Sequence, residues 1–226
     1  MAIWPCASRG DDIVVFDTAE NRQEIACFHS LRQQGQKAKK LPNIALADFI
    51  RPMTHQENDF IGGFAVSSGD GIEQKLADYH RDFDDYSSIL LKAVADRLAE
   101  ALAEFAHAKI RREIWGYSPE ERLTNDDLIA EKYRGIRPAP GYPSQPDHSE
   151  KATLFKLLKA EEIGLKLTET YAMWPTASVS GLYFSHPEAK YFPIGKIGKD
   201  QVADYANRKG ISIDRAEYLL APILHY

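Results

Sequence analysis

The chain has 226 residues, of which 44% are hydrophobic and 27% charged, and its formal net charge at pH 7 is −5. A chain of this length can bury a sizeable core, and the composition is that of an ordinary globular protein. The net negative charge offers no basic surface to nucleic acid, so we expect no nucleic-acid partner. No long apolar run predicts a membrane span or a leader peptide. We therefore expect no membrane association and a cytoplasmic location.

The chain has two cysteines, Cys6 and Cys27, without CxxC spacing and without a histidine–cysteine cluster in the sequence. This usage favours a reducing compartment and argues against a zinc site or a disulfide scaffold. We therefore predict no metal site and expect both thiols to be buried or half-buried.

Three β-rich runs lie in the first third of the chain. Residues 11–17 (DDIVVFD) and 23–30 (QEIACFHS) are separated by the turn-like sequence TAEN, which predicts a hairpin. Residues 60–67 (FIGGFAVS) predict a third strand. Its paired glycines, Gly62 and Gly63, indicate a bulge or a close approach between the backbone and a neighbour.

Over residues 71–115 the pattern becomes helical, with a break near Asp84 and Asp85 where a second helix can begin. Apolar residues recur in this second helix at steps of three and four, and we expect them to form its buried stripe. They are Ile89, Leu90, Val94, Leu98, Leu102, Phe105 and Ile114.

An acidic row lies on the same helix. Asp96, Glu100 and Glu104 stand at i, i+4 and i+8 and therefore share one helix face. Such a row is more often a solvated face than a binding site, and the sequence alone leaves both interpretations open.

The most distinctive stretch is residues 137–151, RPAPGYPSQPDHSEK. Its four prolines and Gly141 exclude a helix or a central strand, which predicts a stiff, nearly extended loop. Its polar and aromatic side chains suit a small polar ligand, while a plain surface connection explains the composition equally well. His148 is expected to be a capping or hydrogen-bonding residue rather than a catalytic base.

After this loop, residues 151–162 predict a helix that ends at Gly164. Strands are predicted over residues 178–184 (SVSGLYF) and 190–197 (KYFPIGKI). Two helices, 199–208 and 213–220, close the chain, separated by a stop at Gly210 and a cap at Ser212. The order of strands, long helices, strands and helices predicts the α+β class with an antiparallel sheet.

The common catalytic and nucleotide-binding motifs GxSxG, HExxH, P-loop and strand-linked GxGxxG do not occur in the sequence. Several other stretches together resemble one known family. They are RPAPGYP, AMWPTASVSGLYFSHP, AKYF, KDQVADYANRKGIS, LAPIL and, upstream, GDDIVVF, SLRQQ, LADFI, DDYSSILLKAVADRLAEALAE and IRREIWGY. From about Trp4 to its last residue, the chain is similar to the C-terminal reactivation domain of cobalamin-dependent methionine synthase, a module that binds S-adenosylmethionine.

The resemblance implies that S-adenosylmethionine lies extended in a shallow groove beside the proline loop. Arg137 would pair with the ligand carboxylate, and Glu100 and Glu131 would lie near its amino or sulfonium end. Tyr191 and Phe192 match an aromatic pair that often reads Tyr-Tyr in the family, and a ring near a sulfonium adds cation–π attraction. The implied ligand-binding residues are Arg137, Ala139, Gly141, Tyr142, Tyr191, Phe192, Glu100 and Glu131.

The resemblance also implies a reaction, the reductive methylation of cob(II)alamin in the enzyme that converts homocysteine to methionine. Flavodoxin or a flavoprotein reductase would supply the electron and S-adenosylmethionine the methyl group, while the protein supplies positioning. The cobalamin would sit on a partner module that Asp96 and Glu100 contact. The alternative is a stand-alone S-adenosylmethionine-binding or interaction protein of the same fold without this activity.

We expect residues 1–226 to form a single domain of this kind. The family's domain extends upstream of Trp4, and that upstream segment includes an acidic residue that touches S-adenosylmethionine. Weaker ligand binding is therefore expected from this chain than from one extended at its N-terminus.

Overall fold

The computed structural model describes residues 1–38 and 41–226. Its strands are β1 (Ala2–Arg9), β2 (Asp12–Phe16), β3 (Glu24–His29), β4 (Asp59–Ser67), β5 (Lys166–Leu167), β6 (Met173–Trp174) and β7 (Ser178–Tyr183). Five of them form one sheet in the order β3-β2-β1-β4-β7, and β5 pairs with β6 in a separate ribbon. All neighbouring strands run antiparallel.

The helices are α1 (Ile72–Arg81), α2 (Asp85–Lys109), α3 (Asn125–Ile129), α4 (Glu150–Leu158), α5 (Lys199–Lys209) and α6 (Ile213–Leu220). A π-helical turn, Ile110–Ile114, continues α2. Short 3-10 turns occur at Leu46–Phe49, Ala160–Ile163 and Ala221–Ile223. The predicted α+β class with an antiparallel sheet is confirmed. Within the described ranges, no helix combines the length and the apolar character that crossing a membrane requires.

The predicted hairpin is confirmed as β2 and β3, but the strand beside it was not predicted. Strand β1 lies at the centre of the sheet although it contains Pro5, which has no backbone N–H to donate. Residues 2–5 pair with β4 alone, and Cys6 pairs with both β4 and β2. Residues 7–9 pair with β2, and Ser8 also forms a parallel bridge with Pro52. Pro5 is therefore tolerated because the strand has a single ladder at that point.

The third predicted strand is confirmed as β4, and its glycines mark a close approach rather than a bulge. The register runs without a shift through Gly62 and Gly63. A Cβ atom on Gly63 would lie 2.7 Å from Cδ1 of Leu154 and 2.9 Å from Cζ3 of Trp4. Only glycine leaves room for α4 to lie this close to the sheet.

The predicted break between α1 and α2 is confirmed, but the predicted buried stripe of α2 is wrong. The seven residues proposed for it are 39% to 67% exposed. The helix instead buries a row of small residues, Ser88, Ala95, Ala99, Ala103 and Ala106, followed by His107. The hydroxyl of Ser68 donates to the carbonyl of Ala95 over 2.5 Å, which shows how closely the helix approaches the end of β4.

The two faces of the sheet carry different helices. Phe64 and Tyr183 pack with Ala103 and Ile110 on the α2 face. On the opposite face the main core joins β1–β4 and β7 to the C-terminal helices α5 and α6. The predicted boundaries of α6 agree with the structure, and α5 ends one residue later than predicted. The hydroxyl of Ser212 accepts the predicted capping bond from the Arg215 N–H.

The strand predicted over residues 190–197 is wrong. This segment forms no ladder, apart from a single bridge between Ile197 and Leu224. Pro193 lacks a backbone N–H, and the N–H of Ile194 donates over 2.8 Å to the carbonyl of Pro143 in the proline loop. The segment therefore lies beside the proline loop and helps to enclose the cavity described next.

Candidate functional site

A cavity of about 700 Å³ lies between α2, the proline loop, β7 and residues 191–193. It is lined by seven of the eight residues that the sequence analysis predicted to bind a ligand. They are Arg137, Ala139, Tyr142, Tyr191, Phe192, Glu100 and Glu131. The structure therefore gathers at one place residues that are separated by up to 92 positions in the sequence.

The proline loop begins as an extension of the sheet and then turns twice. Ile136 exchanges two backbone hydrogen bonds with Phe184, and the carbonyl of Pro138 accepts from the Leu182 N–H. The chain then folds back through bonds between Gly141 and Gln145 and between Tyr142 and Ala139. The predicted extended conformation is thus correct for the first residues of the loop, and the turns place its prolines along the cavity.

Gly141 is the one predicted ligand-binding residue outside the cavity lining. Its φ is +98°, and a Cβ atom at this position would lie 2.2 Å from Cε1 of His148. Glycine is needed here for the positive φ and because the imidazole packs against the backbone.

His148 lines the cavity and is a hydrogen-bonding residue, as the sequence analysis expected. Its Nδ1 accepts from Nζ of Lys151 over 2.7 Å, and Lys151 also donates to the carbonyl of Tyr171. Burial and the charge of Lys151 lower the pKa of His148, so the imidazole is neutral at pH 7. Because Nδ1 is the acceptor, the ring proton resides on Nε2.

The end of the proline loop is fixed to α5 by a buried charge network. Asp147 accepts hydrogen bonds from the Tyr205 hydroxyl over 2.6 Å and from Nζ of Lys209 over 2.9 Å. Lys209 also contacts the buried carboxylate of Glu150, the first residue of α4. Burial tends to raise the pKa of Asp147, but the charge of Lys209 and the hydrogen bonds from Tyr205, Lys209 and the Ser149 N–H together outweigh it, so the pKa is lowered. This network holds the loop in one position relative to the core.

Arg137 is held from behind the cavity wall. Its Nη2 lies 2.7 Å from Oε2 of Glu104, and its Nη1 lies 3.1 Å from Nδ1 of His107 and 3.2 Å from the Tyr133 hydroxyl. Its backbone N–H donates to the hydroxyl of Tyr191 over 3.0 Å. Burial and the charges of Arg111 and Arg137 lower the pKa of His107 to about 2, so the ring is neutral and can accept from Arg137.

The aromatic side chains of the cavity differ in exposure. Tyr142 is 62% exposed, and Tyr191 is 37% exposed, so both rings can pack against a ligand. Phe192 is 7% exposed, and its ring meets that of Phe49 edge to face at 6.2 Å. Phe192 therefore lines the cavity from the core and offers no hydroxyl group to it.

Two carboxylates complete the lining. Glu100 on α2 and Glu131 after α3 are exposed side chains that line the cavity. Asp96 lies one turn before Glu100, is exposed and does not contribute to the lining. With Arg137 also in the wall, the cavity offers a cationic group for an anion, carboxylates for a cation and exposed rings for an apolar or sulfonium group.

Three residues that determine where Arg137 lies were not predicted from the sequence. Glu104, His107 and Tyr133 are its partners, and none was assigned a role at the site. A signal was present, because Glu104 and His107 stand at i and i+3 and therefore share a helix face. Tyr133 stands four positions before Arg137, but the segment between them is not helical, so no periodic pattern predicted their contact.

Asp12, Cys27 and His29 bring potential metal-ligand atoms within 4.8 Å of one another across β2 and β3. Arg208 contacts Oδ1 of Asp12, and Nδ1 of His29 lies 3.1 Å from the same oxygen. Burial raises the pKa of the Cys27 thiol to about 12. The carboxylate is already neutralised by Arg208, and the prediction of no metal site stays a prediction. Cys6 is buried and Cys27 partly buried, as expected.

Two comparisons with known proteins agree with these features. A family model described as vitamin B12 dependent methionine synthase, activation domain, matches residues 1–210. The crystal structure of the MetH reactivation domain bound to AdoHcy is 48% identical in sequence, with a TM-score of 0.96. That match covers 100% of this chain and 69% of the MetH domain chain.

The family match spans nearly the whole chain, and the structural match extends over all of it. Both confirm the resemblance drawn from the proline loop and the motifs around it. This chain belongs to the family of activation domains of vitamin B12-dependent methionine synthases.

Proposed function

We propose that the cavity binds S-adenosylmethionine and that the domain serves the reductive reactivation of cobalamin in methionine synthase. The observation that carries this proposal is the convergence of seven predicted ligand-binding residues on one cavity. The solved MetH reactivation domain, 48% identical, is bound to AdoHcy, the product that S-adenosylmethionine becomes when it gives up its methyl group.

Arg137 binds the carboxylate of the ligand in this proposal. A guanidinium forms short, charge-assisted hydrogen bonds with a carboxylate, and its position in the wall is fixed by groups outside the cavity. Glu100 and Glu131 attract the positive charge of the amino group or the sulfonium. Tyr142 and Tyr191 supply faces for the apolar parts of the ligand and for the sulfonium.

Glu100 and Asp96 further form the contact with the partner module that holds cobalamin. Both are exposed on α2, and Glu100 reaches the cavity while Asp96 lies one turn away from it. A partner docked on this face would therefore bring a methyl acceptor to the open side of the site. Cobalamin accepts the methyl group, and flavodoxin or a flavoprotein reductase supplies the electron. This chain contributes binding and orientation.

The proposal is tested in two steps. Isothermal titration calorimetry of the chain with S-adenosylmethionine measures binding, and no heat at any ligand concentration would contradict the proposal. The chain is then mixed with a cobalamin module in the cob(II)alamin form and reduced flavodoxin, and the visible spectrum is followed. Formation of methylcobalamin only when the chain and S-adenosylmethionine are both present is the expected result. Binding without remethylation would leave the alternative of a stand-alone binding protein.

A further inference from the structure

The wall of the cavity at Arg137 has a second layer, formed by Glu104, His107 and Tyr133. These residues contact the guanidinium but do not line the cavity. They come from α2 and from the segment after α3, while Arg137 opens the proline loop. The guanidinium therefore joins the loop to α2.

The contacts of this layer leave part of the guanidinium for a ligand. A guanidinium has five N–H donors in a fixed plane. One Nη2 donor is directed to Glu104, and Nη1 is directed to His107 and Tyr133. Nε and the second Nη2 donor have no partner among the residues that the structure describes. One or two donors of this kind suit a carboxylate that enters from the cavity.

Glu104 is itself fixed between two arginines. Its Oε1 is buried without a hydrogen-bond partner in the described ranges and lies 3.9 Å from Nη1 of Arg111, which is also buried and unpartnered there. Arg111 is fully buried, and three hydrogen bonds join it to Glu121: Nε donates to both carboxylate oxygens at 2.9 and 3.1 Å, and Nη2 donates to Oε1 at 2.8 Å. A carboxylate between two guanidinium groups cannot rotate freely, so the direction in which it holds Arg137 is determined by the core.

We propose that Glu104 is a positioning residue that directs the free donors of Arg137 into the cavity and thereby sets the affinity for the carboxylate-bearing end of the ligand. This inference rests on the proposed function, because it assigns to the S-adenosylmethionine site a determinant that does not touch the ligand. The neutral ring of His107 and the hydroxyl of Tyr133 share the task, with Glu104 as the charged partner.

Removing Glu104 has two opposite physical consequences. Arg137 loses its charged anchor, which weakens binding, and the site becomes more positive, which strengthens binding of any carboxylate. Positioning predicts that the first consequence is the larger. The sign of the change in affinity therefore decides between a positioning role and simple charge competition.

The experiment compares two ligands on the full chain. S-adenosylhomocysteine carries the carboxylate, and 5′-methylthioadenosine carries the same nucleoside without the carboxylate and amino groups. Calorimetry on Glu104→Ala should give a dissociation constant for S-adenosylhomocysteine that is weaker by about tenfold. The constant for 5′-methylthioadenosine should change by less than about twofold, within the usual error of additivity. The control is Glu113→Ala, which removes an exposed carboxylate whose contact is Lys109 at 3.6 Å.

Tyr133→Phe provides a second variant in case Glu104→Ala unfolds. It removes one acceptor of the Arg137 donors with little change of shape, and it should also weaken only the carboxylate-bearing ligand. Glu104→Ala in the Arg137→Ala background should have almost no further effect, because there is no guanidinium left to position.

Several outcomes would overturn the inference. Unchanged or tighter binding of S-adenosylhomocysteine by Glu104→Ala would do so, and so would an equal loss for both ligands, which indicates a general disturbance. Each leaves the proposed function intact as long as the wild-type chain binds S-adenosylhomocysteine. Wild-type protein that binds neither ligand would overturn the proposed function, and this inference with it.

Discussion

Arg137 is the residue whose removal tests the ligand orientation most directly. Arg137→Ala should weaken S-adenosylmethionine binding by about tenfold or more, because a hydrogen bond between charged groups is worth roughly 1.5–3 kcal/mol. The measurement is calorimetric titration of both proteins. Arg134→Ala is the matched control, since Arg134 donates to the carbonyls of Ser185 and Tyr117 and lies outside the cavity lining. Equal losses in the two variants, or none in either, would remove Arg137 from the ligand contacts.

His107, which contacts Arg137, should make the stability of the folded protein depend on pH. Its pKa in the folded protein is lowered to about 2 by burial and by Arg111 and Arg137, while an unfolded histidine titrates near about 6.5. The unfolded chain therefore binds one more proton than the folded chain between these values, and stability falls as pH falls below about 6.5. The slope from this residue is about 1.4 kcal/mol per pH unit.

Urea unfolding between about pH 7 and pH 5 checks this expectation, within the range where the unfolded histidine becomes protonated. His107→Gln should flatten the dependence, whatever its effect on stability at neutral pH. His55→Gln, at an exposed position, should leave the dependence as it is. A wild-type slope that survives in His107→Gln would show that other groups cause the loss of stability.

Among the secondary-structure elements, α2 differs most from its predicted packing, since it buries small residues rather than the apolar stripe. The buried row of Ser88, Ala95, Ala99, Ala103 and Ala106 predicts that Ala99→Leu overpacks the contact with the sheet and costs about 1–3 kcal/mol. Leu98 is 56% exposed, so Leu98→Ala should change stability by no more than about 0.5 kcal/mol. Urea unfolding of the two variants measures both. A larger loss from Leu98→Ala than from Ala99→Leu would restore the leucine stripe as the buried face.

The apolar pattern of α2 predicts a helix but not which of its faces is buried. Large apolar residues at steps of three and four in α2 do indicate a helix, and the helix is present over Asp85–Lys109. The pattern does not say which face meets the sheet when a second face consists of alanines. Short side chains let the helix approach closely, as the bond between Ser68 and Ala95 shows. The periodicity therefore fixed the element type but not its buried side.

The strands likewise divide into those that local sequence patterns predict and those that depend on the whole sheet. The hairpin of β2 and β3 and the strand β4 follow from local patterns, because turn residues and β-branched runs are local signals. Strand β1 was not predicted because it contains Pro5. A proline is tolerated in a strand where no neighbouring strand needs its backbone N–H, and only the arrangement of the whole sheet shows that this is the case at Pro5. Residues 190–197 are rich in residues that favour strands. They lie beside the proline loop instead, because Pro193 has no backbone N–H and the N–H of Ile194 donates to the carbonyl of Pro143.

The convergence of the predicted residues on one cavity could be anticipated from the sequence, and for a definite reason. Six of the seven predicted residues that line the cavity come from motifs that the resemblance identified, such as RPAPGYP, and Glu131 lies outside these motifs. The groups that orient Arg137 come from α2 and from Tyr133, and no motif connects them with the loop. Partners brought together by packing alone require the structure.

In the whole molecule, the exposed acidic face of α2 predicts that ligand binding and docking of the cobalamin module depend on different residues. Asp96→Asn should leave ligand affinity and stability nearly unchanged, since an exposed helix carboxylate contributes little to either. It should slow the remethylation of cob(II)alamin when the cobalamin module is supplied. The measurement pairs a calorimetric titration with the time course of the corrinoid spectrum. Loss of ligand affinity would assign Asp96 to the cavity, and no change in either assay would leave it as a solvated residue.

The cavity walls come from α2, the proline loop, β7 and residues 191–193, which only the folded chain brings together. A ligand held by such walls binds the native state and not the unfolded chain, and at about 100 times its dissociation constant it adds about 2.7 kcal/mol of stability. Proteases act on the opened chain, so cleavage by global opening should slow by about a hundredfold when opening and closing are fast. Digestion at low protease concentration, with and without S-adenosylhomocysteine, measures this, and an unchanged rate would show that the sites of cleavage open without disrupting the cavity. If the proposed binding holds, the survival of this domain in a cell would follow the supply of S-adenosylmethionine and S-adenosylhomocysteine.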